Sequence, residues 1–556
     1  MIIKLFIFLL ALSFLALAFA PKRGLRLWSS FFALAAVILT VWVAGNQTAG
    51  IFASYVQPWL SYGKLKISFN LAADSLGLKT LSAVLALAAL LIYYNTIAAV
   101  DNFRPRLNGI LLLSVAGFML LFSAQDFVQL MIGSCLYTVL GFYLLDVVAG
   151  KRKYLFYNFI GEMALFTALA VVYGSVDSVN LPQALSRYQD YGQHRDLVTL
   201  LVSLALVIKS GLFPFQNQFQ DNRGLSFSRI IAVTAILNPL ASLVLLLKLS
   251  PLLHASAWGV TAMTAVCVLS ALWGGVGMLL IDNLKAKVLY LNQNIIAFMA
   301  VLLLTNPVSF PILLTMVLPI MVILDYLWSL VYISASNEVY VSQMGGFVKF
   351  LKLDLLLLWG GILTFVRIAA NQEWLNQKWA LLFIITALVG LAHICRQIYF
   401  GAHHADERVE ALLHNAPIRT WLPLVAAMAV LWYVNTAPAV DGFVYGGVGL
   451  FAVVLLLNPF KRLMHMADSE IQDADGVEQL FRFSILMPIK LLGRILWITI
   501  DFLFIERTII GSVSALNNFM VNALHRIQNA VWLNYLLMVG LGAAIMLFYI
   551  GRSYYE

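Results

Sequence analysis

The chain has 556 residues, of which 62% are hydrophobic and only 11% are charged. About a quarter of the residues in a soluble globular domain are charged, so this composition excludes that class and indicates a polytopic membrane protein. The formal net charge of +9 is spread over short segments between apolar runs. It therefore indicates membrane orientation rather than a nucleic-acid surface.

The sequence predicts no cofactor and no metal site in this chain. The three cysteines, Cys135, Cys267 and Cys395, lie singly within apolar segments, so they cannot build a disulfide framework, a zinc site or an iron–sulfur ligand set. The glycine-rich loops that bind nucleotides and flavins are absent from the sequence. We therefore expect no catalytic centre and no nucleic-acid binding in this chain.

Apolar runs of membrane length predict an all-α membrane protein with about sixteen transmembrane helices. The runs lie at 1–20, 27–46, 79–100, 107–124, 127–148, 154–174, 196–216, 229–250, 257–281, 286–306, 309–334, 350–369, 378–400, 417–435, 440–458 and 531–551. The first run also has features of a cleaved secretory signal, but its length favours a retained span. Before the third run, the alternation from Lys66 to Leu78 predicts a strand in a hairpin on one membrane face.

Basic residues predict the orientation of these spans. They concentrate in the loops that follow odd-numbered spans, which contain Lys22, Arg23, Arg26, Arg104, Arg106, Lys151, Arg152, Lys153, Lys349, Lys352, Lys461 and Arg462. By the positive-inside rule, these loops face the cytoplasm. We therefore expect a multi-pass protein of a bacterial-type inner membrane with its N-terminus outside.

The segment 459–530 differs from the other connections. It opens with acidic residues and continues as an apolar run that carries charges at Lys490, Arg494, Asp501, Glu506 and Arg507. Such a pattern predicts an amphipathic helix that lies along the membrane surface or across neighbouring helices. A further span at 483–505 is the alternative interpretation.

The stretch 205–221 places Lys209 inside an apolar run, where it is followed by Gly211, Pro214 and several amides. A lone ammonium at membrane depth costs roughly 3 kcal/mol on insertion scales, which makes Lys209 a candidate functional residue. Glycine and proline beside it predict a broken helix, the element at which transporters place ion sites. The alternative interpretation is a lysine whose ammonium reaches the membrane interface.

Several short motifs occur in a recognisable order along nearly the whole chain. They are Phe69 with Asp74-Ser-Leu-Gly-Leu78, Gly141-Phe-Tyr143, Gly161-Glu162, Lys209-Ser-Gly-Leu-Phe-Pro214, Asp282-Asn-Leu-Lys285, Glu338 with Met344-Gly-Gly346, and Arg526-Ile-Gln528 with Asn534-Tyr535. In these motifs the chain resembles the antiporter-like membrane subunits of respiratory complex I, of the chain L or chain 5 type, which are related to Mrp antiporters.

The resemblance implies a domain organisation. Two inverted five-helix repeats, each with a broken helix, would follow N-terminal helices and a hairpin. Two further helices, a lateral helix that braces neighbouring membrane subunits, and a final transmembrane helix would come after them. The corresponding boundaries are 1–106, 107–250, 257–400, 401–458, 459–530 and 531–556.

The resemblance also implies a proton path, residue by residue. Lys209 falls on the lysine in the broken helix of the first repeat, and Glu162 is its candidate partner. The candidate relay of the second repeat consists of Lys285, Lys287 and Asp325. Helix breaks are expected at Gly211, Pro214, Gly360 and Gly361.

The chain departs from the pattern of the family at several of these positions. The glutamate expected in the fifth helix is missing near Leu130, where only Gln129 is polar, and apolar Val317 and Met321 occupy the histidine and lysine positions of the eleventh helix. In this family a buried lysine switches between charged and neutral forms as a neighbouring carboxylate approaches or leaves. The resemblance therefore implies an altered pathway in this chain.

Two hypotheses of function follow from the sequence. In the first, the chain is a proton- or cation-translocating subunit of a redox-driven translocase such as NADH-quinone oxidoreductase, embedded in lipid and bound to other membrane subunits partly through 459–530. In the second, it is the membrane partner of a non-respiratory complex, such as an inorganic-carbon uptake system with a large soluble zinc protein. The subunits that co-purify with the chain would distinguish the two.

Overall fold

A computed structural model of the chain describes residues 2–18, 25–45, 53–62, 65–73, 75–97, 106–145, 148–220, 225–307, 310, 313–335, 338–347, 358, 361, 378–400 and 518. All of them except Asn518 belong to one unit of the chain, Met1–Asp475, and a second unit spans Gly476–Glu556. The predictions for 401–458, 459–530 and 531–556 therefore fall outside the described residues, apart from Asn518.

The described part of the chain is mostly helical. Its helices are α1 (Ile2–Ala18), α2 (Leu25–Gly45), α3 (Ser75–Ile97), α4 (Arg106–Phe122), α5 (Phe127–Leu144), α6 (Val148–Val176), α7 (Leu181–Ser186), α8 (Arg195–Ser210), α9 (Asn217–Gln220), α10 (Phe227–Ile230), α11 (Asn238–His254), α12 (Gly259–Leu280), α13 (Leu284–Thr305), α14 (Leu318–Ser334) and α15 (Lys378–Phe400). Two π-helical turns, Ile231–Leu237 and Leu313–Val317, precede α11 and α14.

Six helices of the described chain are long and apolar enough to cross a membrane. They are Phe127–Leu144, Lys151–Val176, Phe227–His254, Gly259–Leu280, Leu284–Thr305 and Leu382–Phe400. Shorter apolar helices occur at Ile2–Ala18, Phe31–Val43, Gly77–Ile92, Arg106–Phe122 and Leu318–Tyr332. The chain is therefore a multi-pass membrane protein, and each predicted span up to residue 334, together with the span at 378–400, contains a helix.

Burial places α11 and α13 at the centre of this bundle. The apolar window of Phe227–His254 is 89% buried and that of α13 is 94% buried, against 44% for the window in α6. From the outside inward, α6 packs on α8, α8 on α11, and α11 on α13. A polar side chain on α13 or in the last two turns of α8 is therefore surrounded by protein rather than by lipid.

A two-stranded antiparallel hairpin connects α2 and α3. Its strands are β1 (Ala53–Tyr62) and β2 (Leu65–Ala73), and β2 confirms the strand expected after Lys66. Asp126, which is 1% exposed just before α5, accepts hydrogen bonds of 2.7 Å from the backbone N–H and the hydroxyl of Ser68. The hairpin is thus attached to the start of a membrane helix.

The same backbone pattern occurs twice in the chain. In each case the turn between two helices forms an antiparallel bridge with the segment after the third helix, Asp126 with Asn180 and Asn283 with Tyr340. The bonds are Phe127 N to Val179 O (3.0 Å), Leu181 N to Gln125 O (2.6 Å), Leu284 N to Val339 O (2.9 Å) and Val341 N to Asp282 O (2.9 Å). The helices α4 to α6 are therefore connected in the same way as the helices α12 to α14.

Candidate functional site

The broken helix ends one residue after Lys209. Gly211 has a φ of +65°, in the left-handed region, and α8 stops at Ser210. The Gly211 N–H donates to Ile208 O (3.0 Å) and the Leu212 N–H to Val207 O (3.1 Å), which is the Schellman pattern of helix ends. A cis Phe213–Pro214 bond follows. The chain therefore breaks where Gly211 and Pro214 led us to expect it, rather than at residue 216.

Lys209 forms an ion pair with Glu162 on α6. Its Nζ donates to Glu162 Oε1 and to Thr138 Oγ1 (2.5 Å) on α5. The side chains of Lys209 and Glu162 are only 4% and 10% exposed. The structure thus brings together Lys209 and the partner that the sequence suggested for it, and the ammonium of Lys209 is buried in protein.

Hydroxyl groups of α5 also donate hydrogen bonds to the carboxylate of Glu162. Ser134 Oγ donates to Glu162 Oε1 at 2.9 Å, and Thr138 Oγ1 donates to the same oxygen at 3.2 Å. Glu162 Oε2 is buried without a hydrogen-bond partner among the described residues. One carboxylate oxygen is therefore occupied by the ion pair, while the other is available to a proton or a water molecule.

Two interactions offset part of the cost of burying the ammonium of Lys209. Lys209 lies in the last turn of α8, where the negative end of the helix dipole stabilises a cation. The carboxylate of Glu162 supplies the opposite charge in a region of low dielectric, where Coulomb attraction is strong. If one partner is removed, the other becomes an uncompensated buried charge, which costs roughly 3–5 kcal/mol.

Replacing Gly211 with alanine should destabilise the protein by about 1–3 kcal/mol, because a left-handed conformation disfavours a Cβ atom. The new Cβ would also lie 2.4 Å from Cε2 of Phe219. Thermal unfolding of the purified protein measures the loss. Gly174→Ala is the matched control, since its Cβ meets nothing within 4 Å and it lies in α6, where alanine should stabilise by about 0.5–1 kcal/mol. Equal stability of the two variants would contradict this account of the helix end.

The two lysines at the start of α13 donate to backbone carbonyl groups. Lys285 Nζ donates to Leu225 O (2.8 Å) and lies 4.7 Å from the centroid of the Tyr332 ring. Lys287 is fully buried, and its Nζ donates to Met278 O (2.7 Å) near the end of α12. The carbonyl groups of a helix end carry partial negative charge, so this position suits an ammonium.

Asp325 lies fully buried on α14 and pairs with an amide. Its Oδ2 accepts a hydrogen bond of 2.7 Å from Nδ2 of Asn292, which also donates to Oγ1 of Thr234 at 3.0 Å. Within the described chain, no lysine or arginine pairs with Asp325, and its Oδ1 has no partner. No direct hydrogen bond joins Lys287 to Asp325 there, so a relay between them needs intervening groups.

A small cavity lies between the end of α8 and Asn292. Its volume of about 10 Å³ for the centre of a water molecule matches the room that one water needs. The lining residues come from both sides and are Ser210, Gly211, Gln216, Phe219, Thr234, Asn238, Leu289, Asn292, Gln293 and Ile296. Gln293 Nε2 and Asn292 Oδ1 are a buried donor and a buried acceptor without partners among the described residues.

Sequence reasoning missed several groups around the pair. Ser134 and Thr138 are four residues apart on α5, and Asn158 lies four residues before Glu162 on α6. Residues at this spacing lie on one face of a helix, so the sequence could have placed Thr138 beside Ser134 and Asn158 beside Glu162.

Of the other two predicted helix breaks, Gly360 falls outside the described residues, and Gly361 is a buried helical residue. In the described part of the chain, no group of three or more His, Cys, Asp or Glu side chains could hold a metal ion.

Residues 127–364 match the family model described as NADH:quinone oxidoreductase/Mrp antiporter, TM. This part of the chain is therefore similar to antiporter-like membrane proteins. The match confirms the resemblance that the motifs indicated. The matched range includes the ion pair of Lys209 and Glu162 and both central helices. No curated protein matches the chain.

Solved structures share the fold of this chain. A structure described as the Mrp complex from Dietzia sp. DQ12-45-1b aligns with a TM-score of 0.66 and 16% identity over 99% of this chain, which spans 63% of that chain. A structure described as membrane-bound sulfane sulfur reductase, an archaeal respiratory membrane complex, aligns with a TM-score of 0.63 and 13% identity over 97% of this chain and 99% of that one. At these identities, the likeness concerns the fold.

Proposed function

We propose that this chain moves protons, or another cation, across a membrane as an antiporter-like subunit of a redox-driven complex. The observation that carries the proposal is the buried ion pair of Lys209 and Glu162 at the end of a broken helix. Ionisable groups inside a membrane bundle are expensive and typically mark ion pathways. Both similar structures are described as complexes, and one of them as a respiratory membrane complex, which supports partner subunits for this chain.

The ion pair can act as a switch for one proton. While the pair is closed, the carboxylate of Glu162 stabilises the ammonium of Lys209. When it opens, the ammonium loses its buried counter-charge, so loss of its proton becomes the less costly state. The hydroxyl groups of Ser134 and Thr138 keep the carboxylate hydrogen-bonded in both states. The energy for opening would come from a partner subunit.

The small cavity offers a route from this pair toward Asn292 and Asp325. A water there would lie between the end of α8 and Asn292. The amide N–H groups of Asn292 donate on both sides, so this side chain orients the Asp325 carboxylate but does not itself relay a proton. We assign Asp325 the role of proton acceptor beyond the cavity, with Lys285 and Lys287 as the following relay.

The repeated backbone bridges at Asp126 and Asn283 support two repeats at 107–250 and 257–400. The proposal further includes the inverted orientation of these repeats, sixteen spans, a bacterial-type inner membrane with the N-terminus outside, and a lateral helix within 459–530 that contacts neighbouring subunits. Any cofactor would belong to those partners rather than to this chain.

Purification of the native complex tests the proposal. We expect flavin or iron–sulfur subunits to co-purify, and we expect the complex in lipid vesicles to acidify or alkalinise the lumen during redox turnover, as measured with a pH-sensitive dye. Co-purification of a large zinc protein without redox subunits, and no ion movement, would contradict the proposal and favour the second hypothesis, a membrane partner of an inorganic-carbon system.

A further inference from the structure

Two buried amide side chains connect the helices that carry Lys209 and Glu162. Asn158 Nδ2 on α6 donates to Gln218 Oε1 on α9 at 3.1 Å, and Gln218 Nε2 donates to Ile208 O at 2.8 Å. Asn158 is 4% exposed and Gln218 is 1% exposed. The hydrogen bonds therefore form a continuous chain from α6 to the last turn of α8, which we call the amide brace.

Each end of the amide brace lies close in sequence to one member of the ion pair. Asn158 precedes Glu162 by one helical turn and lies on the same face of α6. Ile208 precedes Lys209 directly. The backbone positions from which the two ionic side chains extend are thus held relative to each other by the brace.

The brace acts at the last turn of α8, where Asn238 Nδ2 also donates to Ser210 O (3.0 Å). The helical hydrogen bonds of α8 end here, and the carbonyl of Ile208 accepts only the Gly211 N–H (3.0 Å) from the backbone beyond the helix. The Gln218 amide passes closely over this turn, since a Cβ on Gly211 would lie 3.2 Å from its Nε2. The amide of Asn158 is oriented in turn by a second bond of 2.9 Å to Tyr154 O.

We propose that Asn158 and Gln218 are positioning residues for the ion pair, which set the distance over which Lys209 and Glu162 open and close. This inference rests on the proposed proton-switch function. Neither amide carries a charge or touches the ion pair in the hydrogen bonds described above, so both act through the backbone of α6 and α8. A displacement of reacting groups by about 1 Å can change a rate by about a hundredfold.

A pair of substitutions tests positioning separately from stability. Asn158→Leu and Gln218→Met each remove one polar partner and should destabilise the protein, whereas the double variant replaces both partners with apolar groups and should recover much of the loss. We expect all three variants, assembled in the native complex, to move protons in vesicles at least about tenfold more slowly. We also expect the pH profile of this activity to shift, because the geometry of the ion pair changes.

Gln183→Met is the matched control, since it removes an exposed amide on α7 and should keep the wild-type rate and pH profile. Lys209→Met is the reference for the function itself. If Lys209→Met abolishes proton movement while the double variant keeps the wild-type rate and pH profile, the amide brace is only structural and the inference is overturned. If Lys209→Met also retains proton movement, the proposed function is wrong.

Discussion

Replacing Lys209 with methionine should abolish proton movement by the reconstituted complex, with a drop of about a hundredfold or more, while the partner subunits still transfer electrons. Methionine fills a similar volume but carries no proton at this position. Proton transfer by a positioned side chain typically contributes a factor of about 10²–10⁴, which sets the size of the expected loss. Dye-monitored proton uptake and the rate of redox turnover, recorded on the same vesicles, measure the two activities separately.

Lys79→Met is the control for this experiment. Lys79 is an exposed lysine of α3, so its loss removes the same charge without touching the buried pair. The hydroxyl groups of Ser134 and Thr138 remain to hydrogen-bond Glu162 in the Lys209 variant, which favours assembly. Normal pumping by Lys209→Met would show that the ion pair is a remnant and that the chain acts as a structural partner.

The placement of the helices followed from the sequence because the length of an apolar run is set by the thickness of the bilayer. The hairpin was harder to predict. Strand β2 alternates regularly, whereas β1 contains Pro58, which lacks the N–H that a regular strand needs. In the structure, Pro58 lies at a register shift between the two strands, where that N–H is not required.

The charged members of the site were predictable, but their surroundings were not. A lysine or a glutamate in an apolar run is easily recognised in a sequence, because placing its charge inside a membrane costs free energy. Serine and threonine often hydrogen-bond to the preceding turn of their own helix, so the spacing of Ser134 and Thr138 indicates a shared helix face but not a contact with Glu162. The amide brace joins residues that are sixty positions apart along the chain, Asn158 and Gln218. The packing of α6 on α8 and α9 brings them together.

Replacing Glu162 with methionine should destabilise the protein by about 3–5 kcal/mol, because it leaves the ammonium of Lys209 buried without a counter-charge. Adding Lys209→Met to this variant should restore most of the stability, since an apolar pair of similar volume often replaces a buried ion pair at little net cost. Thermal unfolding in lipid nanodiscs should therefore rank wild type and the double variant together, well above Glu162→Met. Proton movement should be absent from both variants. If Glu162→Met unfolds at the wild-type temperature, then Lys209 holds no buried charge, and the ion pair cannot be the switch.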